Sequence, residues 1–102
     1  MATSPRPGLL LSAFAPELAG LETAPPAGWT VATTGVGAIA AAVETTRLLV
    51  ERAPSRVLFL GTCGAYDERL APGDLLAVSE AIAISEDEVL GRAYRPDLER
   101  TR

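Results

Sequence analysis

A chain of 102 residues, 48% apolar and 22% charged, is long enough for one small domain and too apolar for a disordered segment. Thirteen acidic residues against nine basic ones leave a net charge of −4, which argues against the basic surface that non-specific nucleic-acid binding requires. Every basic residue is arginine, so lysine Schiff bases are excluded; histidine, the commonest general base and metal ligand, is missing as well, and the single cysteine cannot form an internal disulfide and suits a reducing cytoplasm.

Near the start, Arg6 precedes the apolar Leu9-Leu10-Leu11-Ser12-Ala13-Phe14-Ala15, whose last three residues have the form of a small-residue cleavage site. The apolar part is at the short limit for a secretory signal, only one positive charge precedes it, and Pro5 and Pro7 stand close by. Residues 8–14 read instead as a first buried strand, and no stretch approaches the roughly 20 apolar residues of a membrane span. Residues 17–21 suit one helical turn. Thr23-Ala24-Pro25-Pro26-Ala27-Gly28 is a turn by composition, since the two prolines exclude regular structure there.

Trp29–Thr33 alternates apolar and polar residues, the period of a half-buried strand. After Gly35-Val36-Gly37 the spacing predicts a helix over Ala38–Arg52, with Ile39, Ala42, Val43, Leu49 and Val50 on its apolar side and Glu44, Arg47 and Glu51 opposite. Pro54 follows its end. Residues 56–60 form the next strand, and residues 75–84 a longer extended segment. From Ser85 the chain is charged and interrupted by proline, with no regular element expected.

Strand, glycine turn, helix and strand make a βαβ unit, which builds parallel sheets, so the fold class is α/β. Val57–Leu60, apolar on both faces, is expected at the centre of the sheet. One long helix cannot cover both faces. The domain is expected to occupy residues 1–85, and residues 86–102 a charged tail.

Several motifs carry possible chemistry. Gly35-Val36-Gly37-Ala38-Ile39-Ala40 fits the loose dinucleotide fingerprint, but such a site wants an acid at the end of the next strand, and that strand ends in Gly61-Thr62-Cys63. The glycines equally suit a tight strand-to-helix turn. Cys63 has no histidine to activate it and reads as a small buried residue. No metal site is supported, and Glu86-Asp87-Glu88 reads as a solvated acidic loop. Gly61-Thr62-Cys63-Gly64 is different: its glycines let the backbone approach a ligand where a parallel strand ends, and Thr62 offers a hydroxyl there. Glu17 follows the first strand on the same side of the sheet. Its carboxylate can take a proton from water if burial raises its pKa, or it is a surface glutamate favoured by a helix dipole.

Three blocks together resemble the purine and uridine nucleoside phosphorylase superfamily: Leu11-Ser12-Ala13-Phe14-Ala15-Pro16-Glu17-Leu18, Thr34-Gly35-Val36-Gly37 with its alanine-rich helix, and Gly61-Thr62-Cys63-Gly64-Ala65 through Leu70-Ala71-Pro72-Gly73-Asp74. The nearest pattern is that of the methylthioadenosine/S-adenosylhomocysteine nucleosidases and futalosine hydrolases. The resemblance implies the N-terminal half of a three-layer sandwich with a mixed, largely parallel sheet. It places Glu17 where the nucleosidases keep the glutamate that activates water, Val36 in the 5′-substituent pocket, Thr62 against ribose or phosphate, Cys63 and Gly64 along the base, and Ala13 among the substrate-binding residues. The hexameric phosphorylases carry a phosphate-binding arginine three residues before that threonine. Phe59 stands there in this chain and cannot pair with phosphate.

The resemblance therefore implies a nucleoside N-ribosyl hydrolase that cleaves the glycosidic bond of a purine-type nucleoside such as futalosine or methylthioadenosine. Its rivals are phosphorolysis, or a non-catalytic nucleoside-binding or assembly module. A nucleoside is the expected partner, with no cofactor, nucleic acid or membrane, and a homo-oligomer once the domain is complete. The family's second half, with a Met-Glu segment for the ribose and an Asp for the base, has no counterpart in these residues, so half a site is expected.

Overall fold

A computed structural model describes residues 6–93 and 99–101. It divides into two compact units, the first ending at Gly64 and the second beginning at Ala65.

The first unit is a three-stranded parallel sheet with strand order β2-β1-β3, formed by β1 (Gly8–Ser12), β2 (Trp29–Thr33) and β3 (Val57–Leu60). The helix α1 (Ala38–Arg52) connects β2 to β3. Leu9-Leu10-Leu11 makes β1 apolar in every central position, and all five of its residues are buried. In-register pairing puts Ala32 beside Leu11, and Leu48 of α1 packs against Leu9, Leu11 and Ala32 to form the core. A parallel strand flanked on both sides reads as such a continuous apolar run.

The α/β class and the parallel βαβ unit agree with the sequence reading. Two details differ. The central strand is β1, and β3 lies at an edge with Val57, Leu58 and Phe59 between 46% and 57% exposed. Both strands are apolar on two faces, so composition could not rank them; the crossover decides by carrying β3 past β2 to the far side of β1. The buried side of α1 also runs through Leu48, while Ile39, Val43 and Val50 face outward. Nine apolar residues, four of them alanine, spread around more than one side of this helix, and only contact with β1 selects the buried one.

A 3₁₀ turn, Ala15–Leu18, follows β1, two residues earlier than the expected helical turn. Pro16 fits its first positions, where no N–H is needed. Ala19 ends it in the left-handed region and Leu18 is buried.

The second unit contains the antiparallel pair β4 (Ala81–Ala83) and β5 (Glu99–Thr101), and the short helix α2 (Glu86–Val89). Of the extended segment expected over residues 75–84, only Ala81–Ala83 is paired as a strand among the described residues. The acidic run is not a loop. Ser85 caps α2 by accepting the Glu88 N–H, and Glu86, Asp87 and Glu88 occupy the first turn, where the helix dipole favours negative charge. Asp74 closes a tight turn: its carboxylate accepts the Ala71 N–H at 2.8 Å while its own N–H donates to the Ala71 carbonyl at 3.0 Å.

Candidate active site

The C-terminal ends of β1 and β3 lie side by side, with Ser12 paired to Leu60. The 3₁₀ turn after β1 and the Gly61-Thr62 turn after β3 therefore emerge at one edge, and they meet through a carboxylate. Oε2 of Glu17 accepts the backbone N–H of Thr62 at 2.7 Å and the Thr62 hydroxyl at 2.9 Å. Oε1 lies 3.3 Å from the Ser12 hydroxyl, which also lies 3.0 Å from the Phe14 carbonyl and has one proton for both. Ser12 is fully buried, so Glu17 rests on a fixed support.

Around this carboxylate lies a cleft of about 510 Å³, lined by Ala13, Phe14, Pro16, Glu17, Val36 and Thr62. That is the size range of small-molecule sites. Its floor is polar only at Glu17 and Thr62; the other four residues are apolar. Val36 reaches it from the loop before α1, which turns through Gly35 and Gly37 at φ of 83° and 102°. Gly37 also has ψ of 157°, a conformation essentially restricted to glycine. The loop is anchored by Thr34, whose N–H donates to the Ser12 carbonyl and whose buried hydroxyl donates to the Gly35 carbonyl.

Electrostatically the site differs from the expectation of a glutamate raised by burial. The Thr62 backbone N–H, then the Thr62 hydroxyl, and to a lesser degree Ser12, hold the Glu17 carboxyl below its ordinary value of 4.5, and partial desolvation opposes them without prevailing. Donors aimed at the charged form favour it. Glu17 is thus ionised at neutral pH, with Oε2 committed to Thr62 and Oε1 the oxygen open to a further donor.

Among the residues singled out from the sequence, Ala13, Glu17, Val36 and Thr62 line one cleft. Cys63 and Gly64 do not line it, and the Cys63 thiol is exposed rather than buried. Phe14, Pro16 and Ser12 were not anticipated. Phe14 and Pro16 follow directly from their neighbourhood to Glu17; Ser12 was hidden in an apolar strand and is visible only once β1 and the turn after it are folded. The described residues contain no group of three carboxylates and cysteines able to hold a metal ion. No helix among them is long and apolar enough to cross a membrane.

Comparison with known families gives one match: residues 28–101, well over half of the chain, fit the family described as the Phosphorylase superfamily. No curated protein and no solved structure matches the chain. Val36, Thr62, Cys63 and Gly64 fall inside the matched segment; Ala13 and Glu17 precede it, and geometry alone joins them to it.

Proposed function

The chain belongs to the phosphorylase superfamily, a nucleoside-processing family, and from that premise we propose that it forms the water-activating part of a nucleoside N-ribosyl hydrolase. The observation that carries this reading is the pairing of Glu17 with Thr62. A phosphate nucleophile is an anion whose oxygens are mostly acceptors, so it needs donors or cations. Here the Thr62 N–H and hydroxyl proton are both given to Glu17, a carboxylate faces the cleft, and none of the described lining residues is basic. Phosphate would meet a negative charge, and the described lining residues offer it no uncommitted side-chain donor. Water suits the same surroundings. It donates to Oε1 of Glu17, attacks the anomeric carbon as the glycosidic C–N bond breaks, and passes its proton to the carboxylate. The lone pairs of the Thr62 oxygen remain free to accept from a sugar hydroxyl.

Phe14, Val36 and Ala13 give the cleft an apolar wall, which suits the apolar body of a 5′ substituent, a thioether or an aryl chain. The substrate class proposed is accordingly a purine-type nucleoside such as methylthioadenosine or futalosine. The cleft residues supply no acid for the departing base; that proton must come from a residue outside them. The deciding experiment measures release of free base from methylthioadenosine and from futalosine by the protein, with and without phosphate. Release unaffected by phosphate supports the hydrolase. Release that requires phosphate, with a sugar 1-phosphate as product, replaces it with the phosphorylase, and nucleoside binding without turnover replaces it with a binding module.

A further inference from the structure

We propose that the opposite end of the same sheet holds a second ligand site, a phosphate-binding cleft built on Arg6, Trp29, Thr30, Ser55 and Arg56. It is independent of the Glu17 site: those residues stand where β1, β2 and β3 begin, whereas Glu17 and Thr62 follow the ends of β1 and β3. The three strand entries are tied together by the backbone. The Gly8 N–H donates to the Gly28 carbonyl at 2.9 Å, Leu9 to Arg56 at 2.8 Å and Ser55 to Pro7 at 3.2 Å. Between them lies a cleft of about 720 Å³.

The charge of this cleft is opposite to that of the whole chain. None of the described residues lining it is acidic, although the chain carries a net −4. The ion pairs of the described residues involve only Arg47 and Arg69, so Arg6 and Arg56 have no carboxylate partner there. Arg6 uses one donor on the Ala53 carbonyl at 3.3 Å. Arg56 stacks on the Trp29 indole, its guanidinium carbon 4.5 Å from the ring centroid, a contact that fixes the plane of the group without consuming an N–H. The indole is itself held on Gly8, where an added Cβ would stand 2.7 Å from two ring carbons.

Two guanidinium groups and the hydroxyls of Thr30 and Ser55 line the cleft; the Thr30 hydroxyl accepts from Arg52 at 3.4 Å and keeps its own proton to donate, so forked and single donors suited to a tetrahedral oxyanion are present. The cleft is far larger than an ion needs, and the indole offers an apolar surface beside the donors. The phosphate group is the recognised element. It arrives either as inorganic phosphate or on a small organic phosphomonoester, and the size of the cleft favours the latter.

Trp29 is the only tryptophan of the chain, so its fluorescence reports on this cleft alone. The intact chain is titrated with inorganic phosphate, with glycerol 3-phosphate, and with sodium chloride at matched ionic strength. A saturable change with the phosphate compounds and none with chloride is expected, glycerol 3-phosphate saturating at the lower concentration; the reverse order of the two would identify free phosphate as the source. Arg6→Gln and Arg56→Gln should each weaken binding by about tenfold or more. Arg92→Gln, an equal loss of charge at a residue that does not line the cleft, should leave it unchanged. Far-UV circular dichroism checks that the variants fold. Amide shift mapping on the unaltered chain gives a readout that needs no variant, with shifts expected at Arg6, Thr30 and Ser55. A response reproduced by chloride, a loss shared by Arg92→Gln, or shifts centred on Thr62 instead would overturn the site.

Discussion

Glu17 and Thr62, 45 positions apart in the chain, share two hydrogen bonds on a single oxygen: the N–H and the hydroxyl of Thr62 both donate to Oε2. The pairing links the turn after β1 to the turn after β3 and sets the protonation behaviour of the only carboxylate among the described residues of the cleft. On the proposed hydrolase reading, Glu17→Gln should lower hydrolysis by about 10²–10⁴-fold with nucleoside binding nearly intact, because the amide keeps the shape and cannot accept a proton. Steady-state rates and a binding isotherm on the same preparation check both halves of that statement.

Thr62→Val removes the hydroxyl and keeps the backbone donor. One of the three bonds that depress the Glu17 pKa is then gone, so the carboxyl rises toward its ordinary value. The acid limb of the kcat/KM profile should move to higher pH than in the unaltered enzyme. An unmoved limb would assign it to another group.

Stability should fall on acidification. Glu17 is held below its ordinary value by Thr62 and Ser12, Glu44 by Arg47, and Asp67 by the Arg69 side chain and backbone. A depressed folded pKa contributes stability that is present above the unfolded value, 4.5 for the glutamates and 3.8 for Asp67, and is lost as pH falls through the folded one. All three groups are in contact with solvent, so each contribution is small. Urea midpoints should be level from neutrality to about pH 5 and decline below it, and Glu17→Gln should flatten that decline.

The buried side of α1 can be tested by paired truncations. Leu48, 1% exposed and packed on Leu9 and Leu11, should cost about 2–5 kcal/mol when replaced by alanine. Ile39→Ala, on the outward side, should change stability by no more than about 0.5 kcal/mol. Gly37→Ala should cost about 1–3 kcal/mol through its backbone conformation alone. Denaturant unfolding of the three variants measures all of these.

The exposed edge strand has a consequence for the isolated chain. Val57, Leu58 and Phe59 stand on β3 with one backbone edge unpaired by any described strand, a template for association. The purified chain should self-associate or bind an apolar dye, and Leu58→Lys should reduce both. A monodisperse monomer that binds no dye would show that the edge is covered in some other way.

The sequence by itself determined the elements of the first unit. Alternation in Trp29–Thr33, the continuous apolar runs of β1 and β3, and the glycine turn leading into Ala38–Arg52 are local patterns, and local patterns fix local structure. It also brought Glu17 and Thr62 forward, since each stands just past a strand that a parallel sheet would align at one end. What only the tertiary structure decided is which of two equally apolar strands lies in the middle, which apolar side of α1 is buried, and what state Glu17 is in. The first two depend on the path of the crossover over β1, and the third on donors from a residue 45 positions away. No periodicity encodes them. The Arg6, Trp29 and Arg56 cleft has the same origin: three strand entries remote in sequence become neighbours only when β1 takes its place between β2 and β3.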